Sequence, residues 1–522
     1  MLVVGNLVNY RRSHRRAVEF QQLLGNFDWF ALGALALPLF IYTLTLAPTV
    51  YNLDSAELTT AVATDGIVRA TGYPLYLTLG KIWSWLPIGD VGFRMNLFSA
   101  VCGAATIFLL DHILRRLKIS PWVRLGTLGL LATAPYFWAL SLIAEVYTLH
   151  TVLMAGIILL LMRWRDEPSP RRLAAPILLA MLSMGNHAAT ALLIPGLIFF
   201  VLVSHPKELL KGPVWGASLL AIAGGASIFV LLPLRYLGSP AFNYAGHFDA
   251  TGSFIPVNLS TFDGFWWLVT GKSFAGQMFG YSLNELWPQV ADFGVQLWSA
   301  FFAIGIGPGI LGLVLLLRRD WRFGGMLLLL FLANSIFYIN YRVIDKATMF
   351  LPSYLIWSIW LGFGYQALLR WLRSIYPHPR LRPFLYGVPI TFVLIAIAWN
   401  WSRVDLSDDW STRQQSEEIL RQVQPNAMVF GWWDTVPGLQ YMQLVEGQRP
   451  DVTLINRFLI SGADMNRLIL SELGERPIYV NNPSIELLRV AKVTPVGSLY
   501  NLSPKDVVSG DGENHRIVDD RE

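Results

Sequence analysis

Apolar runs of bilayer-spanning length recur along this chain, and they leave it few folds to choose from. In hydrocarbon every backbone N–H and C=O must find a partner within the protein, so only helices and closed barrels cross a membrane. A helix needs about 20 apolar residues to cover the ~30 Å core. The runs lie at roughly 29–48, 93–114, 122–142, 146–163, 173–190, 191–204, 213–234, 292–317, 324–340, 348–369 and 384–401. Their lengths predict a polytopic α-helical membrane protein with about eleven transmembrane helices. His187 and Pro195 interrupt the fifth and sixth stretches, so that boundary is the least regular. Composition agrees: 54% of the 522 residues are hydrophobic and 14% charged, against about 25% charged in soluble proteins.

Basic residues set the expected orientation, because Lys and Arg concentrate in cytoplasmic loops. Arg11, Arg12, Arg15 and Arg16 precede the first run, and Arg115, Arg116 and Lys118 follow the second. Arg163, Arg165, Arg171, Arg172, Lys207, Lys211, Arg318, Arg319, Arg322, Arg370, Arg373, Arg380 and Arg382 fall on that same side. The N-terminus is therefore expected in the cytoplasm, with the first run retained as an anchor because no signal-peptidase site follows it. The other face, periplasmic or lumenal, receives loops at about 49–92 and 235–290, the short loop Asn340–Lys346, and everything after residue 402. The net charge of +5 follows from this orientation, and no nucleic-acid partner is expected. A single cysteine, Cys102, excludes an intramolecular disulfide. Zinc-finger spacing, a phosphate-cradling P-loop, a dinucleotide fingerprint and a solenoid repeat are all missing from the sequence.

The pattern divides the chain into a transmembrane part over 1–401, a small extramembrane α/β domain over 402–503, and a polar, disordered tail over 504–522. Short buried strands read at Asn426–Gly431, Asp451–Ile455 and Pro477–Val480. Helices read between them at Thr435–Glu446 and Ala463–Leu473, an alternation that argues for a parallel sheet.

Within the first outer loop, Asp54 and Glu57 stand at i and i+3 on one helical face. Two readings are open. With Ser55 they can cap a helix N-terminus, or they can serve chemistry on a substrate that arrives from the bilayer.

Further motifs follow in order: Gly72-Tyr73-Pro74-Leu75-Tyr76, Arg94-Met95-Asn96, Ala144-Glu145-Val146-Tyr147, Gly185-Asn186-His187 and Leu232-Pro233-Leu234-Arg235. Ile344-Asp345 before Phe350-Leu351-Pro352, and Glu446-Gly447-Gln448-Arg449-Pro450, complete the set. Together they resemble a family of multi-span proteins, long catalogued as a domain of unknown function, whose eukaryotic relatives are transmembrane protein O-mannosyltransferases. The family's histidine before Tyr-Pro is replaced here by Arg69. The family in turn resembles the GT-C class of glycosyltransferases. That resemblance implies a GT-C-like fold and transfer of a mannose-like sugar from a polyprenyl-phosphate donor to an acceptor hydroxyl, on a protein or glycan, at the non-cytoplasmic face.

The resemblance further implies a base in the first outer loop, Asp54 with Glu57 in reserve. Arg235, His187 and Arg342 are the candidates for the donor phosphate. Snorkelling is the competing account of Arg235, and a local pair with Arg342 and Lys346 the competing account of Asp345. Arg69, Tyr73, Arg94, Asn96, Glu145, Tyr147, Asn186 and Asp345 are expected to line the site. The acids assign no metal set, and no cofactor beyond the lipid-linked donor is implied. Two other classes compete: a lipid or solute transporter or flippase, which would favour inverted repeats and midspan charges, and a non-catalytic polytopic scaffold.

Overall fold

The computed structural model describes residues 29–505, apart from 379 and 381. The arginines at 11, 12, 15 and 16 and the tail beyond 505 lie outside the described residues. Of the apolar runs, six form helices long and apolar enough to cross a bilayer: Val91–Arg116, Val146–Asp166, Gly212–Leu237, Trp321–Ile339, Lys346–Ile375 and Gly387–Val404. Trp29–Leu44 and Ala188–Ser204 are apolar but shorter.

Three of the expected spans are interrupted. The run at 122–142 divides into α5 (Pro121–Ala132) and α6 (Pro135–Ala139), because Pro135 cannot continue the preceding ladder and instead starts a new helix. The run at 292–317 divides into α13 (Leu283–Ala300) and α14 (Ile306–Arg319), with Phe302 and Ala303 at positive φ between them. The stretch at 173–190 ends early, in α8 (Pro170–Met184), and a 3₁₀ turn at Ala188–Leu193 leads into α9 (Ile194–Ser204). Gly185, Asn186 and His187 occupy that break.

The remaining helices of this unit are α1 (Trp29–Leu44), α2 (Asp54–Thr64), α3 (Pro74–Trp83), α4 (Val91–Arg116), α7 (Val146–Asp166), α10 (Gly212–Ala226), α11 (Leu231–Leu237), α12 (Phe262–Val269), α15 (Trp321–Ile339), α16 (Leu351–Ile375) and α17 (Arg382–Val404). α4 packs between α1 and α7, while α14 lies along α16. Glycine permits the second contact: a Cβ on Gly312 would collide with the Trp360 carbonyl, and one on Gly364 with that of Pro308. Close backbone approach through small residues is how helices associate where lipid is as apolar as leucine.

A second compact unit is drawn from two separated stretches, Gly246–Val257 and the residues from Ser411 on. Its five-stranded sheet runs β4 (Thr453–Asn456), β3 (Met428–Gly431), β5 (Ile478–Val480), β7 (Leu499–Pro504), β6 (Ala491–Val496). β3 pairs in parallel with β4 and β5, as the strand–helix alternation predicts, and β7 is antiparallel to β5 and β6. Phe430, Ile455, Leu468, Ile469 and Val480 form its core. The hairpin β1 (Gly246–Phe248)–β2 (Phe254–Pro256) packs Phe248 against that core and bridges to Ile460.

Candidate functional site

The loop after α1 folds as α2, a turn, and α3. Leu53, at φ 55°, precedes α2 without a side-chain cap, and Asp54 and Glu57 fall in the helix's first turn. Ser55 Oγ instead accepts the Ala144 N–H at 3.1 Å, fastening α2 to the residues before α7. Glu57 turns inward and is 2% exposed. Its carboxylate accepts the Arg69 backbone N–H at 3.0 Å and lies 3.8 Å from the Arg69 Nε. Burial pushes the Glu57 carboxyl up to about 7, against the pull of Arg69 and with some help from Asp54.

Arg69 is the hinge of the arrangement. Its guanidinium also donates to Asp54 Oδ2. Burial weakens the guanidinium's hold on its proton, but Asp54 and Glu57 outweigh that and leave it more firmly charged than a free arginine. Gly72 at φ 80° and Tyr73 at φ 41° then reverse the chain. Leu75 N–H donates to Gly185 O at 2.9 Å, tying this turn to the break after α8.

The break carries His187. Its ring lies parallel to Tyr73, with centroids 5.9 Å apart and 12° between planes, and 5.6 Å from Tyr147. His187 Nδ1 accepts the Ala189 N–H at 3.1 Å. A neutral imidazole so placed carries its proton on Nε2, which makes Nε2–H the remaining donor of the ring. Asn186 supports the break by donating to Val146 O at 3.1 Å.

These elements enclose a cavity of about 260 Å³, lined by Asp54, Arg69, Tyr73, Tyr147, His187 and Asp345 among others. Thr71, Thr270, Phe274, Met278, Tyr338 and Tyr341 also face it. Sequence reasoning missed these six. Thr71 lay beside a recognised motif, and its buried hydroxyl has no partner among the described residues. Tyr341 lay in the short loop that carries Arg342 and Asp345, and the other four came from segments with no motif.

Asp345 makes no ion pair with Arg342 or Lys346. Lys346 turns to Gln289 and to Tyr281, and Arg342 to Glu285 at 3.4 Å. Desolvation, and then Asp54, raise the Asp345 carboxyl above its ordinary value. Glu145 stands behind the lining and is raised by burial, Asp54 and Asp345 together. Three acids thus feel Asp54, and Arg69 is the cation in contact with it.

Four predicted residues serve the frame. Arg94 donates to the carbonyls of Ser84, Ile88 and Gly89, and Asn96 to those of Ala47 and Thr49. Arg235 donates to Gly66 O at 3.3 Å, and Arg342 stacks on Tyr281 with its charge outward; neither lines the cavity. Among the described residues no group of three or more His, Cys, Asp or Glu side chains is arranged to hold a metal ion.

Residues 54–210, which build most of this site, match the sequence model of the Protein O-mannosyl-transferase TMEM260 N-terminal domain. The chain is 24% identical over 453 residues to "Protein O-mannosyl-transferase TMEM260" of Mus musculus, covering 81% of this chain and 61% of that one. It is 22% identical over 479 residues to its namesake in Dictyostelium discoideum, covering 81% and 56%. The chain thus spans less than two thirds of the length of these relatives. Among solved structures it is similar to ArnT from Cupriavidus metallidurans bound to undecaprenyl phosphate, with TM-score 0.56 and 12% identity over 92% of this chain and 99% of that one. The apo form of ArnT gives 0.54 and 12% over 90% and 97%. The resemblance read from the motifs is matched by the family model over residues 54–210, and the fold is similar to that of ArnT.

Proposed function

We propose that this chain is a membrane glycosyltransferase that moves a mannose-like sugar from a polyprenyl-phosphate donor to an acceptor hydroxyl at the non-cytoplasmic face, most simply a hydroxyl of a protein. One observation carries the reading: Asp54, Arg69 and His187 meet in a single cavity beside Asp345. Names borne by the relatives, and the undecaprenyl phosphate bound to ArnT, support the reaction class.

Asp54 takes the acceptor proton as the hydroxyl oxygen attacks the anomeric carbon. The bond from that carbon to the phosphate oxygen breaks, and the phosphate leaves with the electron pair. Its growing charge is met by the Arg69 guanidinium and by the neutral Nε2–H donor of His187. Preorganised donors aimed at developing charge commonly supply most of the rate gain in such reactions. Arg69 therefore has two tasks, holding Asp54 ionised and in place and receiving the phosphate. This assignment moves the phosphate site from Arg235 and Arg342 to Arg69 and His187. Tyr73 holds the imidazole plane by stacking, and Tyr147 packs against it at a tilt.

The test uses purified protein in lipid vesicles with radiolabelled polyprenyl-phosphate mannose and an unfolded polypeptide rich in Ser and Thr. Label on the polypeptide, lost with Asp54→Asn, is the expected result. Movement of intact donor across the bilayer with no transfer to any acceptor would instead favour a flippase.

A further inference from the structure

The helices that hold the catalytic cavity at one end enclose a second cavity at the other. It measures about 450 Å³ and is walled by α7, α8, α9 and α10, with Ile157, Leu161, Pro176, Ala180, Ile198 and Trp215 among its lining. Ile157 and Leu161 lie ten and fourteen residues along α7 from Tyr147. At the helical rise that is roughly 15–21 Å from the catalytic cavity. The wall is almost wholly apolar, so water gains nothing by entering, and hydrocarbon is the natural content.

Charge at the adjoining helix ends is the second, independent observation. Arg165, Arg172 and Lys211 are neutralised by Asp320, Glu167 and Glu208. Arg163, Arg171 and Lys207 are exposed and make no ion pair with a described acid. Leu173 and Leu209, two residues on from Arg171 and Lys207, line the cavity, so chain connectivity keeps both cations close to its mouth. Trp215 marks that mouth: it lines the cavity, is 59% exposed, and donates its indole N–H to Leu209 O at 2.7 Å. A tryptophan with a wet end and an apolar face belongs at headgroup depth.

We propose that this cavity is a binding site for an anionic glycerophospholipid, one acyl chain lying between α8 and α10 and the headgroup resting on Arg163, Arg171 and Lys207. Basic pockets between transmembrane helices select anionic headgroups. A polyprenyl-phosphate donor is a poorer occupant, because its phosphate would sit at the wrong end of the helices, out of reach of Asp54. The site is separate from the catalytic reading and stands without it.

The experiment measures lipid retained by the full chain, purified in neutral detergent and supplied with phosphatidylglycerol, phosphatidylcholine or polyprenyl phosphate, by native mass spectrometry and by Tm. One phosphatidylglycerol retained per chain, with a rise in Tm that phosphatidylcholine does not match, is the expected result. Arg171→Glu combined with Lys207→Glu weakens phosphatidylglycerol retention roughly tenfold and leaves phosphatidylcholine unchanged. Ala180→Phe fills the cavity and abolishes the preference; if that variant does not fold, the charge reversals, which lie on exposed residues, decide alone. Equal retention of the two phospholipids, or a charge reversal without effect, overturns the proposal. Displacement of phosphatidylglycerol by polyprenyl phosphate also overturns it, and makes the cavity a donor reservoir.

Discussion

Two segments of the molecule carry similar residues and use them in opposite ways. In the first loop, Asp54, Glu57 and Arg69 turn inward and meet, with Glu57 2% exposed. In the segment from Tyr281 to Lys346, Arg342 and Glu285 turn outward and meet at the surface. Of the charged residues named there, Asp345 is the one directed to the cavity. The direction a charged side chain takes thus depends on what the neighbouring backbone needs. Gly66 O needed a donor and received Arg235.

The largest expected contrast lies at Asp54. Asp54→Asn keeps the side-chain size and removes the base, so transfer falls by roughly 10²–10⁴-fold with donor affinity near that of the native protein. Turnover close to native for Asp54→Asn would assign the base elsewhere, Asp345 first. Arg69→Ala comes next. Losing a charge-assisted phosphate contact lowers transfer roughly 10–100-fold, and Arg69→Lys recovers only part because lysine lacks the planar fork that reaches Asp54 and phosphate together.

His187 separates donation from charge. His187→Ala lowers transfer by about tenfold, the scale of one lost hydrogen bond to a charged group. His187→Gln, which offers an amide N–H, retains most of the activity. If both variants lose the same rate, the imidazole acts otherwise than as a neutral donor.

The buried acid of the first loop has a stability signature. Glu57 holds its proton up to about pH 7 in the folded protein, above its ordinary value of 4.5. Folding therefore favours the protonated form; the stabilisation is full below about 4.5 and fades as pH rises toward 7. The Tm of the native protein is expected to drop between pH 5 and pH 8 by more than that of Glu57→Gln. Parallel Tm profiles would remove Glu57 from the account. The smallest effect belongs to Arg342→Ala, which breaks an exposed pair and is expected to change transfer by less than about twofold. A loss as large as that of Arg69→Ala would erase the contrast between the two segments.

Much of the site was legible before the fold was known. Asp54, Arg69, Tyr73, Tyr147, His187 and Asp345 were all in motifs, and all line one cavity. Arg235 was in a motif and Arg342 beside one, yet each side chain satisfies a carbonyl distant in sequence, that of Gly66 or Gly280. Nothing in a single sequence separates these cases, because the choice is made by partners far along the chain. The break at Pro135 had a visible cause in proline. That between Ala300 and Ile306 had none, because its positive φ values fall on Phe302 and Ala303, which ordinarily avoid them. The alternation of strands and helices after residue 426 gave the parallel half of the sheet, while β6 and β7 lay too close to the polar tail to stand out.

The hairpin β1–β2 has a consequence for how the protein is made. It leaves the ribosome before α12 through α17, yet the sheet and helices against which Phe248 and Ile460 meet come only after α17 in the chain. Closing so long a stretch of chain is entropically slow. Throughout membrane insertion the hairpin therefore waits without its own core, an apolar ribbon open to chaperones and to neighbouring chains. Completion of the second unit therefore waits until every residue between Asn258 and Trp410 has been made.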